Sequence, residues 1–155
     1  MFYLYMMSYF SSLLVILPLL LTKRFGTALA VFLPYVVIGF PVNYYFEWVV
    51  ETTWVAPWAG LSWSAAFLLT GLSADLAFRY LPSKLTYAWR SALSGAIMGL
   101  VSFVVTVAAL EFVYVGPLPM GTGSYVGIAY FGLPWMIVNS AFGGYTAYAL
   151  AKDIA

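Results

Sequence analysis

The chain has 155 residues, 65% hydrophobic and 7% charged, where an ordinary soluble domain is about 45–50% apolar and about 25% charged; a water-facing surface cannot be covered from that composition. Six Lys and Arg against five Asp and Glu leave a formal net charge of +1, so no basic field exists to hold nucleic acid. The chain has no Cys and no His, which removes disulfides, thiolate nucleophiles, imidazole bases, axial haem ligands and most zinc or copper sites.

A bilayer-spanning helix needs about 20 mainly apolar residues, because roughly 30 Å of hydrocarbon is crossed at about 1.5 Å per residue. Five stretches meet that need. The first covers 2–22 and carries no charge before Lys23 and Arg24; lacking a charged leader and a small-residue cleavage site, it reads as a retained helix rather than a signal peptide. The second, 25–45, contains Pro34 and Pro41, which bend a helix but are tolerated where neighbours satisfy the freed carbonyls. The third covers 61–80, the fourth 92–115 and the fifth 126–151, with a kink expected at Pro134. Residues 47–58 and 116–124 connect spans on one side as aromatic or Gly/Pro-rich turns, while 23–24 and 79–90 are the basic connections of the other.

With the N-terminus outside, Lys23, Arg24, Arg79, Lys84, Arg90 and Lys152 all fall at inner ends, and Glu47, Glu51 and Glu111 at outer ones. The positive-inside bias therefore predicts N-out, C-in and an odd number of spans. The expectation is an all-α polytopic membrane protein, one domain over 1–155, built as a five-helix bundle in a prokaryotic plasma membrane. Trp48, Trp54, Trp58, Tyr44, Tyr45 and Tyr114 gather toward the outer interface, where an aromatic belt is the plain reading.

Lipid is as apolar as Leu, so helices associate through close backbone approach and hydrogen bonds. Ser91, Gly95 and Gly99 on the fourth span, and Gly143, Ala147 and Ala151 on the fifth, form small-residue stripes at four-residue spacing. They fit packing within the bundle, with docking to a second subunit as the alternative. Asp75 and Arg79 stand at i,i+4, the spacing of an intrahelical ion pair; a structural pair explains them more simply than a proton relay, which needs a second buried carboxylate.

The densest polar group lies at outer level. Asn43, Glu47 and Glu51 follow one another at four-residue spacing, Glu111 reaches the same level from another span, and Asn139 adds an amide. Surrounded by Trp and Tyr, such a set suits a cationic heteroaromatic ligand by stacking and charge pairing; alternatively Glu47 and Glu51 lie in water beyond the membrane. Without His, the Glu-x-x-His pairs of a diiron bundle are missing, and no base stands ready to activate a Ser. No metal, no cofactor and no enzymatic activity are expected.

KRFGTALAVFLPYVV (Lys23 to Val37), GLSADLAFRY (Gly71 to Tyr80), SGAIMGLVSF (Ser94 to Phe103) and GGYTAYALAKDIA (Gly143 to Ala155) together resemble the substrate-capture (S) subunits of energy-coupling factor vitamin transporters, especially the thiamine-precursor branch. The resemblance starts near Leu21. It implies a six-helix relative that binds a vitamin or precursor near the external face and works with a coupling membrane subunit and two ATPases. It also implies a ligand toward the outer ends of the later spans, at Glu111, Tyr114, Trp135 and Asn139. The family's leading helix has no counterpart here, and residues 47–58 form a longer outer stretch. The competing expectation is a non-catalytic structural subunit of a larger membrane complex, such as a respiratory oxidase or a membrane monooxygenase; PWAGLSWSAAFLLTGLSADLAF (Pro57 to Phe78) is similar to a stretch of the monooxygenase A subunit. Either way the partners are lipid and other membrane subunits.

Overall fold

The computed structural model describes residues 2–49, 59–113 and 132–154, with side chains over 7–39, 41, 64–108 and 132–153. Among the described residues there are five α-helices and no strand: α1 (Phe2–Thr22), α2 (Thr27–Val49), α3 (Ala59–Tyr80), α4 (Tyr87–Val113) and α5 (Leu133–Ile154).

Local chemistry explains the boundaries. α1 ends where Lys23 turns left-handed (φ 54), its amide still donating to the Leu19 carbonyl at 2.9 Å. Gly26 (φ 88) completes the turn and precedes α2, its carbonyl accepting from the Ala30 amide at 2.9 Å. Glycine adopts that backbone freely but brings no side-chain oxygen to cap the helix it starts. α4 begins at Tyr87, earlier than the expected 92, because Thr86 caps it: its carbonyl accepts from Arg90 N at 2.9 Å and its Oγ1 from Trp89 N at 3.5 Å. Arg90 therefore stands in the first turn of a helix rather than in a connection. Pro134 stands in the first turn of α5, a position that suits proline; the part of the expected span before residue 132, on which the kink at Pro134 depends, lies outside the described residues.

Helix α5 packs between α1 and α4, and α3 between α4 and α2, while α1 also touches α2, α3 and α4. Gly144 meets the Ser91 carbonyl, Gly95 that of Ser140, and Gly99 that of Met136. Numbering rises on α4 as it falls on α5, so the two are antiparallel. Gly71 lies against Ala28 and Leu29, and the Tyr35 and Phe67 rings stand 4.5 Å apart, which sets α2 antiparallel to α3. Ser12 faces Gly95, whereas Leu19 faces the cavity that Arg90 also lines; α1 thus opposes α4. Chain direction alternates from each helix to the next, and one end of the bundle collects all six cations. The α2 and α4 turns that carry Glu47 and Glu111 lie at the other.

The core mixes small polar with apolar residues, and many large apolar side chains lie on the outside. Ser8, Ser12, Thr70, Asp75, Ser91, Ser94 and Ser140 are buried beside Val15, Ile16, Leu19 and Met98, while Leu14, Val37, Ile38, Tyr80, Trp89, Val104 and Phe142 are each more than half exposed. By length and composition one helix among the described residues, Tyr87–Ala108 within α4, is long and apolar enough to cross a membrane; Met7–Thr22 and Thr27–Gly39 are shorter apolar stretches.

Candidate functional site

Of the outer polar set, Asn43 and Glu47 sit on the last turns of α2 and Glu111 on the last turn of α4. Glu51 and Tyr114 fall outside the described residues. Trp135 is exposed and Asn139 half-buried on α5.

The α4–α5 register decides which of these can meet. Met136 is level with Gly99, and Glu111 lies twelve residues beyond Gly99 on the same helix, about 18 Å further along the axis. A Glu and a Trp side chain do not bridge that distance. Trp135 and Asn139 therefore belong to the middle of the bundle, and the expected grouping of Glu111 with them is not assembled. Sequence position alone hid this, because the register is set where Gly95, Gly99 and Gly144 meet the backbone of the opposing helix.

The small residues lie where three helices cross. A side chain on Gly95 would overlap the Ser140 carbonyl, one on Gly143 the Tyr9 carbonyl, and one on Gly99 would come to 2.7 Å from the Met136 carbonyl. Ser91 and Ala147 are fully buried in the same seam. Ser12 Oγ donates to the Ser140 carbonyl at 2.7 Å, Ser140 Oγ to the Ser8 carbonyl at 3.4 Å, and the Tyr9 hydroxyl to Thr146 Oγ1 at 3.1 Å. These bonds cross from α1 to α5 through the gap that the glycines leave. Ser8 and Ser12, and Ser140 and Gly144, are also four apart; that spacing in a Leu- and Tyr-rich helix was the available signal for the α1 side of the seam.

The basic end holds a cavity of about 260 Å³, lined by Lys23, Arg24, Arg79, Arg90, Asp75 and Phe78 among others. Asp75 is 1% exposed. Its carboxylate accepts from the Leu29 amide at 3.0 Å and the Ala28 amide at 3.3 Å, the first-turn donors of α2 that Gly26 leaves uncapped. The expected Asp75–Arg79 ion pair is not formed: the carboxylate serves a neighbouring helix, and the Arg79 guanidinium lies 5.6 Å over the Phe25 ring. A negative group on the positive end of α2 also complements the helix dipole. Arg90 Nη2 donates to the Phe78 carbonyl, and its guanidinium stacks over Phe78 at 5.0 Å and Tyr87 at 5.8 Å. Lys23 Nζ lies 5.9 Å from the same Tyr87 ring. Each of these three cations is thus held by an aromatic face rather than by a carboxylate.

Among the described residues no group of three or more His, Cys, Asp or Glu is placed to hold a metal ion. No protein-family model, curated protein or solved structure matches the chain.

Proposed function

We propose that the chain is a non-enzymatic integral membrane subunit that threads a prokaryotic plasma membrane five times, N-out and C-in, and works in a hetero-oligomer with other membrane subunits. The gathering of all six cations at one end of a bundle whose flanks are apolar carries this reading: alternate threading through lipid leaves Lys and Arg on one side. α3 and α5 owe their lower hydropathy to inward-facing Thr70, Gly71, Asp75, Ser140, Gly143 and Gly144, while Leu69, Leu76, Trp135, Val138 and Phe142 face out.

Its contribution to such an assembly is capture of a small, vitamin-like or precursor solute at the outer end for uptake with coupling and ATPase subunits, as in the transporter family that the sequence resembles. The α2 and α4 turns bearing Glu47 and Glu111 both lie at the end opposite the cations, which favours a cationic ligand at that end. The separation of Trp135 and Asn139 from Glu111, with a solid Gly/Ser seam between helices, favours the second reading, a structural subunit around a metal-bearing neighbour. Thiamine precursors titrated into the detergent-purified chain separate the two. Capture requires tryptophan quenching that Glu111→Gln weakens about tenfold, the loss of one charge-assisted bond, and that Glu51→Gln weakens less. A flat titration, together with redox subunits rather than ATPases recovered from native membranes, establishes the structural role.

A further inference from the structure

The basic cavity has no assigned role in either reading. Lys23 and Arg24 reach it from the α1–α2 turn, Arg79 from the last turn of α3 and Arg90 from the first turn of α4. Four cations on one small cavity repel each other unless an anion joins them. The one carboxylate on its wall, Asp75, already accepts two α2 amides, and none of the four cations makes an ion pair among the described residues. Arg90 shows the deficit most clearly. Its Nη2 is bonded, but its Nε is shut off from solvent and donates to no acceptor. A buried, charged donor left unmatched is costly, so Arg90 gains from a small turn of its guanidinium that offers Nε to an acceptor in the cavity.

We infer that this cavity binds a phosphate group, with Arg79 and Arg90 as guanidinium forks and Lys23 and Arg24 as further positive charges around its oxygens. Phosphate fits because its several acceptor oxygens diverge tetrahedrally, as the four cations converge from three elements. The rings of Phe25, Phe78 and Tyr87 hold three of the cations in place beforehand, so less side-chain freedom is lost on binding. Exposed Leu21, Leu76 and Tyr80 flank the same end and offer an apolar surface for acyl chains, so the source of the phosphate is the headgroup of an anionic phospholipid. The phosphate site stands on the cavity alone; the lipid source rests on the membrane reading above.

The test is native mass spectrometry and thermal melting of the detergent-purified full chain with phosphatidylglycerol, phosphatidylcholine or inorganic phosphate. One phosphatidylglycerol per chain should be retained preferentially over phosphatidylcholine and should raise the melting temperature. The double variant Arg24→Gln/Arg79→Gln, which spares the Arg90–Phe78 bond, should weaken that binding by about tenfold or more. Lys84→Gln, a cation of the same end outside the cavity, should leave it unchanged. Saturable binding of inorganic phosphate that the double variant abolishes, without lipid retention, keeps the site, makes a soluble anion its occupant and removes the lipid source. The proposal is overturned if neither phosphate source binds, or if Lys84→Gln weakens binding as much as the double variant does.

Discussion

Asp75 joins two helices through a single side chain. Two amides of α2 point at its carboxylate, and removal leaves both without that acceptor at a position only 1% exposed. Asp75→Ala should cost about 2–4 kcal/mol of stability, on the scale of a buried charged partner lost, whereas Asp75→Asn, which keeps one acceptor oxygen, should cost about half as much. Reversible unfolding of the purified chain in mixed detergent checks both; equal losses would show that the charge, not the acceptor count, matters. Gly26 is the complementary case. Nothing lies within 4 Å of where its Cβ would be, so Gly26→Ala reports backbone strain alone, about 1–2 kcal/mol at φ 88. The i,i+4 spacing of Asp75 and Arg79 was legible, but it compares a residue only with its own helix; the amides that won lie forty-six and forty-seven positions away.

The helices meet in two different ways. α1, α4 and α5 approach closely enough that glycine backbone touches carbonyl oxygen, whereas α2 meets α3 through Phe32, Tyr35 and Phe67 as well as Gly71. A methyl group at Gly95 has no room to enter, and Gly95→Ala should destabilise by about 1–3 kcal/mol, the usual penalty of overpacking. Gly39 on α2 meets only the Tyr35 ring at 3.7 Å. There Gly39→Ala should stabilise by about 0.5–1 kcal/mol through helix propensity, so the two substitutions should move the unfolding midpoint in opposite directions. The stripes on α4 and α5 could be read from spacing because a helix repeats its face every three to four residues. Their partner on α1 was less visible: Ser8 and Ser12 stand among Tyr, Phe and Leu, and only the crossing of α1 over Gly95 and Gly143 makes them contacts.

For the whole molecule, alternation of helix direction and the sorting of charge give the same polarity. Because the chain has no Cys, single cysteines can be read without background. Ser83→Cys, in the α3–α4 connection, should react with an impermeant maleimide only after the membrane is opened, and Thr52→Cys should react in intact cells. The reverse pattern would invert the topology and turn the basic cavity outward. Hydrophobic content, charge order and the spacing of small residues are properties of local runs, so the five helices among the described residues, their approximate extent and the separation of Lys and Arg from Glu47 and Glu111 were readable along the chain. Register is not a local property. The lock between α4 and α5 places Trp135 and Asn139 far from Glu111, and the crossing of α2 over α3 redirects Asp75 from a neighbouring cation to a pair of amides, because both outcomes depend on how helices slide and turn against one another until backbone groups find partners.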